Sequence, residues 1–216
     1  MADAANVPSA TEPREAAAAT TLGEIAIARA WNVRGDSAHP PFVAEVPRVL
    51  GLPLPIEPMT SARGETDALL WLGPRAWLYV AGAGAAPGTF DAARRSINAA
   101  GGALFDLSAS YVAWSISGTL AGRVLNRSCP LDFHPDAFAA GHCAQSLLGH
   151  VNALFHRPDE RAEFIVMVAR SLAADAWRTL CDTAASDGYR VASPVPFGTR
   201  STRTDGSIAS SSSRSG

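Results

Sequence analysis

A group of histidine and cysteine residues in the second half of the chain has the chemistry to bind a metal ion. Its members are His134, His142, Cys143, His150 and His156. Zinc needs three or four such ligands around one ion. If residues 143–155 are extended, His150 and His156 are about 20 Å apart at roughly 3.3 Å per residue, too far to share an ion. Neither CxxC nor HExxH occurs. We therefore expect histidines that face solvent or an interface, and no bound metal.

Phosphate binding and nucleophilic catalysis find little support. The glycine-rich residues 82–88 precede a predicted helix but lack the glycine spacing of the dinucleotide fingerprint. The chain contains no lysine, which excludes a P-loop lysine, a Schiff base and an SxxK pair. There is no GxSxG elbow, and Cys129 and Cys181 fall on or beside apolar helix faces, where burial is their usual role. The residues alone reveal no self-evident active site.

Composition narrows the class of protein. Eighteen basic residues against 20 acidic ones give a formal charge of −2, so the chain lacks the basic field that drives non-specific nucleic-acid binding. The longest segment without a formal charge, residues 137–156, holds three histidines, a glutamine and an asparagine, which argues against a membrane span. Three widely spaced cysteines and no secretory signal favour a cytoplasmic protein.

Local composition divides the chain into three parts. Residues 1–21 are rich in Ala, Thr, Pro and Glu and predict a disordered N-terminal arm. Residues 22–192 contain no linker and predict a single α+β domain. Residues 193–216 are rich in serine, have only Val195, Phe197 and Ile208 as apolar anchors, and predict a disordered tail.

Short strands and amphipathic helices alternate within the predicted domain. Alternating apolar residues predict strands over 25–33 and 111–117, with further strands at 68–72, 76–81, 103–107 and 163–169, the last buried on both faces. Helices are predicted at 42–50, short or bent at Pro47, at 90–100 behind Thr89, at 119–128, and at 172–184 behind Ser171. The pattern indicates mixed, mostly antiparallel sheets with helices packed on them.

Several phrases resemble one known family. They are LGLPLP at residues 50–55, WLGP at 71–74 with WL at 77–78, FDLS at 105–108, SG at 117–118, CPLDFHP at 129–135 with Phe138 and Gly141, CAQ at 143–145, and the segment 164–180. In this order they resemble the gamma subunit of heterotetrameric sarcosine oxidase, a relative of the aminomethyltransferase and folate-binding group. The phrases CPLDFHP and WLGPxxWL are the specific ones.

This resemblance implies a non-catalytic subunit of a flavoenzyme that oxidatively demethylates sarcosine to glycine and passes the one-carbon unit to tetrahydrofolate. Its partners would be the alpha, beta and delta subunits. In that family FAD, FMN, NAD and tetrahydrofolate belong to the alpha and beta subunits and zinc to the delta subunit, so this chain would bind no cofactor. We expect part of the aminomethyltransferase fold, poor solubility of the chain alone, and apolar surface patches.

Asp132 is the one candidate catalytic residue, and it supports an alternative. The aminomethyltransferase relatives carry their catalytic carboxylate nine residues before a glycine, as Asp132 precedes Gly141 here. An autonomous folate-binding or aminomethyl-transferring protein would use it. Against this, the chain is about half as long as a full aminomethyltransferase, and Ser108 is followed by Ala109 and Ser110 where those relatives often carry histidine. The simpler role for Asp132 is to cap a turn. A scaffold outside sarcosine metabolism is the remaining alternative.

Overall fold

The computed structural model describes residues 19–84 and 88–199. In chain order the elements are β1 (Thr21–Ala26), β2 (Arg29–Arg34), α1 (Pro40–Leu50), β3 (Ser61–Arg63), β4 (Asp67–Gly73), β5 (Ala76–Ala81), α2 (Phe90–Ala99), β6 (Ala103–Asp106), β7 (Tyr111–Ser117), α3 (Ala121–Asn126), β8 (Cys143–Leu148), β9 (Val151–His156), β10 (Glu163–Ala169), α4 (Ala173–Ala185) and β11 (Arg190–Pro196). The α+β class predicted from the sequence is confirmed.

The strands form two sheets. The first sheet has six strands in the order β11-β1-β7-β10-β9-β8, and the second has five in the order β3-β4-β5-β2-β6. All pairs are antiparallel except β1 with β11, which run parallel. The mostly antiparallel sheets expected from the sequence are therefore present.

Three apolar clusters show how the layers stack. Side chains of both sheets meet in one cluster, including Ile165 and Met167 of β10 and Leu78 of β5. The alternate residues of β10, Phe164 and Val166 among them, pack with α3 and α4 on the outer face of the first sheet. A third cluster places α1 and α2 on the outer face of the second sheet. The result is a four-layer arrangement of helices, sheet, sheet and helices, and it explains why β10 is apolar on both faces.

The predicted helix ends are correct in part. Thr89 caps α2, because its Oγ1 accepts a hydrogen bond from the Ala92 N–H at 3.4 Å. The capping role expected for Ser171 is wrong, since a 3₁₀ turn at 170–172 precedes α4 and Leu172 occupies the cap position without a side-chain bond. α3 is shorter than the predicted 119–128. α1 is longer than the predicted 42–50 and runs past Pro47.

Two segments that the sequence analysis treats as extended, one as a prediction and one as an assumption, are each divided in two. Residues 25–33 contribute to β1 and β2, which belong to different sheets. Residues 143–155 form the hairpin of β8 and β9, with Gly149 and His150 as its turn. Gly149 has φ 60°, and a positive φ at the first turn residue alone is the geometry of a type II′ hairpin turn. The condition under which the distance between His150 and His156 was calculated, one extended segment over residues 143–155, is therefore not met, because the turn divides the segment.

The boundary of the predicted tail also differs. Residues 193–196 complete β11, which pairs with β1, and Phe197 is buried between the sheets. Serine and proline gave these residues the composition of a loop, but β11 is an edge strand, where proline is tolerated. Most of the predicted N-terminal arm, residues 1–18, and the rest of the tail, residues 200–216, lie outside the described residues.

Candidate functional site

Asp132 lies in the loop that follows α3 and is exposed. Its Oδ1 accepts a hydrogen bond from the backbone N–H of His134 at 2.9 Å, which closes a turn of the loop. The neighbouring Phe133 N–H donates to Asn126 Oδ1 at the end of α3, also at 2.9 Å. This is the turn-capping arrangement that the sequence offered as the simpler role of Asp132.

The rest of the CPLDFHP phrase anchors the core. Phe133 is 2% exposed and its ring centroid lies 5.4 Å from that of Phe138, 5.1 Å from Phe155 and 5.3 Å from Phe164. The loop therefore contributes a central aromatic side chain to the layer between the first sheet and its helices. Rings at these separations and tilts attract one another beyond the area they bury.

The WLGPxxWL phrase forms the β4–β5 hairpin and anchors a long loop. Its turn consists of Pro74 and Arg75, and the strands on either side place Trp77 in the outer core of the second sheet. The indole Nε1–H of Trp77 donates to the Pro55 carbonyl at 2.7 Å, and the ring packs on Phe42 of α1. Both specific phrases thus use their characteristic side chains to hold turns and layers in place.

The histidine and cysteine residues are dispersed. His150 lies in the hairpin turn and His156 at the far end of β9, so the separation expected between them persists. The hairpin does place Cys143 beside His156 as a cross-strand pair. Cys143 is buried, and its Sγ lies 3.2 Å from the Thr60 carbonyl oxygen and 3.4 Å from that of Trp71, so its single S–H can donate to either. Burial raises the pKa of this thiol to about 12. Among the described residues, no group of three or more His, Cys, Asp or Glu is placed to hold a metal ion.

Burial also raises the thiol pKa of the other two cysteines. Cys129 is buried beside α3 and Cys181 is half-buried on α4, and burial raises the pKa of both thiols. A protonated thiol is a weak nucleophile, so their chemistry agrees with the packing role expected from the sequence. Residues 85–87 of the glycine-rich segment lie outside the described part of the chain.

His156 is a buried ionisable residue that the sequence analysis does not predict. It was expected at the surface, but it is 1% exposed. The Ser61 hydroxyl donates to the Gly141 carbonyl at 2.7 Å, so the His156 Nε2–H must donate to Ser61 Oγ at 3.1 Å. Nδ1 is then a buried lone pair without a partner in the described residues. Burial and the nearby Arg63 lower the pKa of His156 to about 3, despite the opposing Asp159 carboxylate.

Charged residues surround a small pocket next to His156, at one end of the space between the sheets. Arg63, Arg161 and Glu163 line it together with residues 197–199, which follow β11. Asp159 bonds to both arginines, and the Arg161 guanidinium lowers the pKa of this carboxyl to about 2. The free volume is about 20 Å³, enough for one water-sized group and far below the several hundred Å³ of a typical organic ligand site. The ion pairs of Asp159 with Arg63 and Arg161 therefore cover this end of the core.

The buried imidazole makes stability depend on pH. His156 binds a proton near pH 6.5 in the unfolded chain but only near pH 3 in the folded one. The unfolded state therefore takes up more protons as the pH falls below 6.5, and the free energy of unfolding falls with it. We expect the loss to approach about 1.4 kcal/mol per pH unit well below pH 6.5, and to total between about 1 and 2 kcal/mol from pH 6.5 to 5. Urea unfolding at a series of pH values measures it.

The substitution His156→Gln provides the comparison for this prediction. It removes the titrating group, so the slope in that pH range should flatten relative to the unaltered chain. The difference between the two slopes isolates His156 from Glu163, whose pKa burial raises. The matched change His150→Gln, in the exposed hairpin turn, should leave the slope unchanged. Equal slopes for the unaltered chain and His156→Gln would show that the imidazole is not buried in its neutral form.

Comparisons with known proteins agree with this picture of the fold. A solved heterotetrameric sarcosine oxidase from Corynebacterium sp. U-96, in complex with pyrrole 2-carboxylate, contains a chain that matches with a TM-score of 0.69 and 24% identity, covering 81% of this chain and 88% of that one. Glycine cleavage system aminomethyltransferase T from Bartonella henselae matches with a TM-score of 0.56 and 17% identity, covering 82% of this chain but 48% of the other. The predicted likeness to part of the aminomethyltransferase fold is confirmed.

Sequence relatives identify the family. The sarcosine oxidase subunit gamma of Arthrobacter sp. is 32% identical over 153 residues, which cover 69% of this chain and 73% of that protein. That of Corynebacterium sp. (strain P-1) is 34% identical over 149 residues, covering 67% and 70%. The model of the sarcosine oxidase gamma subunit family matches residues 34–186. The resemblance seen in the short phrases is therefore confirmed, and the chain belongs to the sarcosine oxidase gamma subunit family.

Proposed function

We propose that this chain is the gamma subunit of a heterotetrameric sarcosine oxidase and that it supports assembly of the complex without an active site of its own. The observation that carries the proposal is the family match over residues 34–186, which takes in all four helices and the strands β3 to β10. The complex would oxidatively demethylate sarcosine to glycine and transfer the one-carbon unit to tetrahydrofolate. Its location would be the cytoplasm. No helix in the described residues is long and apolar enough to cross a membrane.

The roles of the family-specific side chains support a structural part in that complex. Phe133 and Trp77 are buried anchors, Asp132 caps a turn, and the ion pairs around His156 close a pocket too small for a pterin or a flavin. Side chains that carry the family likeness thus hold the fold together. The alpha and beta subunits would then hold the FAD, FMN, NAD and tetrahydrofolate sites, and the delta subunit would hold zinc.

Exposed apolar side chains support a role in assembly. The exposed large hydrophobic residues in the described part of the chain are Ile56, Phe105, Leu147 and Val191. Three of them lie on strands at the margins of the sheets, Phe105 on β6, Leu147 on β8 and Val191 on β11. A sheet margin can add a strand from a partner where no charge, proline or short strand blocks it.

Co-expression tests the proposal. We expect this chain, carrying an affinity tag, to co-purify with the alpha, beta and delta subunits in a single species whose mass in solution corresponds to one copy of each. The tagged chain expressed alone, and the other three subunits expressed without it, are the controls. A chain that elutes as a stable monomer in the presence of all three partners, and that binds tetrahydrofolate by itself, would contradict the proposal.

A further inference from the structure

The four margins of the two sheets are not equally protected against pairing with another strand. Natural sheets block their margins with short strands, charges and prolines. β3 has three residues and ends in Arg63, and β6 has four and ends in Asp106. β11 is longer, but it begins at Arg190 and contains Pro194 and Pro196, which lack an N–H. Three of the four margins therefore carry protection.

The fourth margin, β8, carries none of these devices. Its sequence, CAQSLL, has no charge and no proline over six residues. It is the outer strand of the hairpin within residues 137–156, the longest uncharged segment of the chain. Within the described residues β8 forms a ladder with β9 alone. Leu147 is 40% exposed on this strand.

The hairpin geometry shows which backbone groups of β8 point outward. Leu148 and Val151 flank the two-residue turn and so form a hydrogen-bonded pair. The backbone N–H and C=O groups of the even-numbered residues of β8 therefore point towards β9. The N–H and C=O groups of the odd-numbered residues must then point away from β9. The Cys143 N–H does so, because it donates to the Met59 carbonyl at 2.8 Å. This contact covers the start of the strand. Gln145 and Leu147 remain with their N–H and C=O groups directed outward.

We propose that another subunit of the oxidase adds an extended segment to β8, pairing with the outward backbone groups of Gln145 and Leu147. The inference rests on the proposed function and identifies the surface through which it operates. The segment should be uncharged and should place an apolar side chain beside Leu147, because a charge buried there without a partner is costly. The first sheet would then gain a seventh strand.

The protection of β11 favours a partner subunit over a chain of identical copies. In repeated head-to-tail pairing, β8 of one copy would meet β11 of the next. The N–H of Arg190, at the start of β11, donates to the Thr20 carbonyl, and the N–H of Phe197, just beyond the end of β11, donates to the Ala26 carbonyl of β1. Pro194 and Pro196 lie between these two contacts. The two prolines remove backbone donors from β11, so such polymers are disfavoured. The first sheet can therefore add a strand only at β8, which is what the addition of one strand from another subunit requires.

Amide hydrogen exchange with single-residue resolution tests this proposal on the isolated chain and on the purified complex. We expect exchange of the Gln145 and Leu147 amides to slow at least tenfold in the complex. The Ser146 amide, already bonded to β9, should change much less. The Val191 amide at the margin of β11 is the control and should not change.

A charge at the same margin provides a second measurement. Leu147→Arg should lower incorporation of the chain into the complex at least tenfold while leaving its unfolding midpoint in urea near that of the unaltered chain. Val191→Arg on β11, also an exposed margin, should be incorporated normally. Both experiments assume that the complex forms; if it does not, the proposed function itself fails.

Three results would overturn the inference while leaving the complex intact. One is unchanged exchange at Gln145 and Leu147 on assembly, together with normal incorporation of Leu147→Arg. Another is slow exchange in the isolated monomer, which would assign the margin to residues 1–18 or 200–216 of the same chain. The third is slow exchange in an isolated dimer, which would assign it to a second copy.

Discussion

Replacing Phe133 by alanine should lower the free energy of unfolding by about 3–5 kcal/mol, the usual cost of removing a buried phenylalanine side chain. Its ring contacts those of Phe138, Phe155 and Phe164, which come from the adjacent loop and from two strands. Truncation leaves a cavity that three large rings cannot fill without moving the strands. Urea unfolding monitored by circular dichroism gives the change.

The matched control for this substitution is Phe105→Ala. Phe105 is 54% exposed on β6, so its truncation should change the unfolding free energy by less than about 0.5 kcal/mol. If Phe133→Ala were as mild as Phe105→Ala, the CPLDFHP phrase would not be anchoring the core, and its role would have to be sought in binding. A chain too unstable to purify is consistent with the upper end of the expected loss, and Phe133→Leu then supplies a measurable intermediate.

A chain that ends at Ala192 should have a free energy of unfolding at least about 3 kcal/mol lower than a chain that ends at Thr199, seven residues later. The shorter chain loses Phe197, which is 3% exposed between the sheets, and the residues that pair with Ile25 and Ala26 of β1. It also loses the contact of Gly198 with the β3–β4 turn, where an added Cβ would lie 2.5 Å from the Thr66 Cα. Thermal and urea unfolding of the two chains give the difference.

Both shortened chains lack residues 200–216, so the comparison isolates the segment 193–199. The single change Phe197→Ala should reproduce most of the loss, whereas Val191→Ala at the exposed start of β11 should have little effect. Equal stability of the two shortened chains would instead support the sequence-based prediction that the disordered tail begins at residue 193.

Much of the fold could be predicted because local patterns and packing agree. β10 is apolar on both faces because one face meets the other sheet and the other meets α3 and α4. α2 has its cap at Thr89 and its stop at Gly101, where φ is 84°. In these segments the local sequence pattern is consistent with the packing of the whole fold, so the pattern alone is enough to predict the element.

Other features depended on contacts that a local pattern does not contain. β11 pairs with β1, about 170 residues earlier in the chain. No periodicity within residues 193–199 predicts this pairing. The burial of His156 follows from its register on β9 opposite Cys143, which requires the hairpin turn at Gly149. A glycine followed by one residue between two apolar runs is a signal for such a turn, and it was available in the sequence.

The candidate site shows the same division. The family could be recognised from short phrases because their residues fill turns and cores that the family shares. Asp132 was singled out by its distance from a glycine, whereas its hydrogen bond to the His134 N–H depends only on the adjacent turn. The cluster of Arg63, Asp159 and Arg161 joins β3 to the loop before β10, a juxtaposition created by the packing of the two sheets.

The most direct test of a structural, non-catalytic role is sarcosine-dependent peroxide formation by the assembled complex carrying Asp132→Asn. The substitution preserves the side-chain oxygen that caps the turn and removes the charge that catalysis would need. We expect the same kcat and KM as for the complex with the unaltered chain, at the same subunit stoichiometry. A fall of tenfold or more in kcat, in a complex of unchanged mass and flavin content, would contradict the account and assign chemistry to this chain.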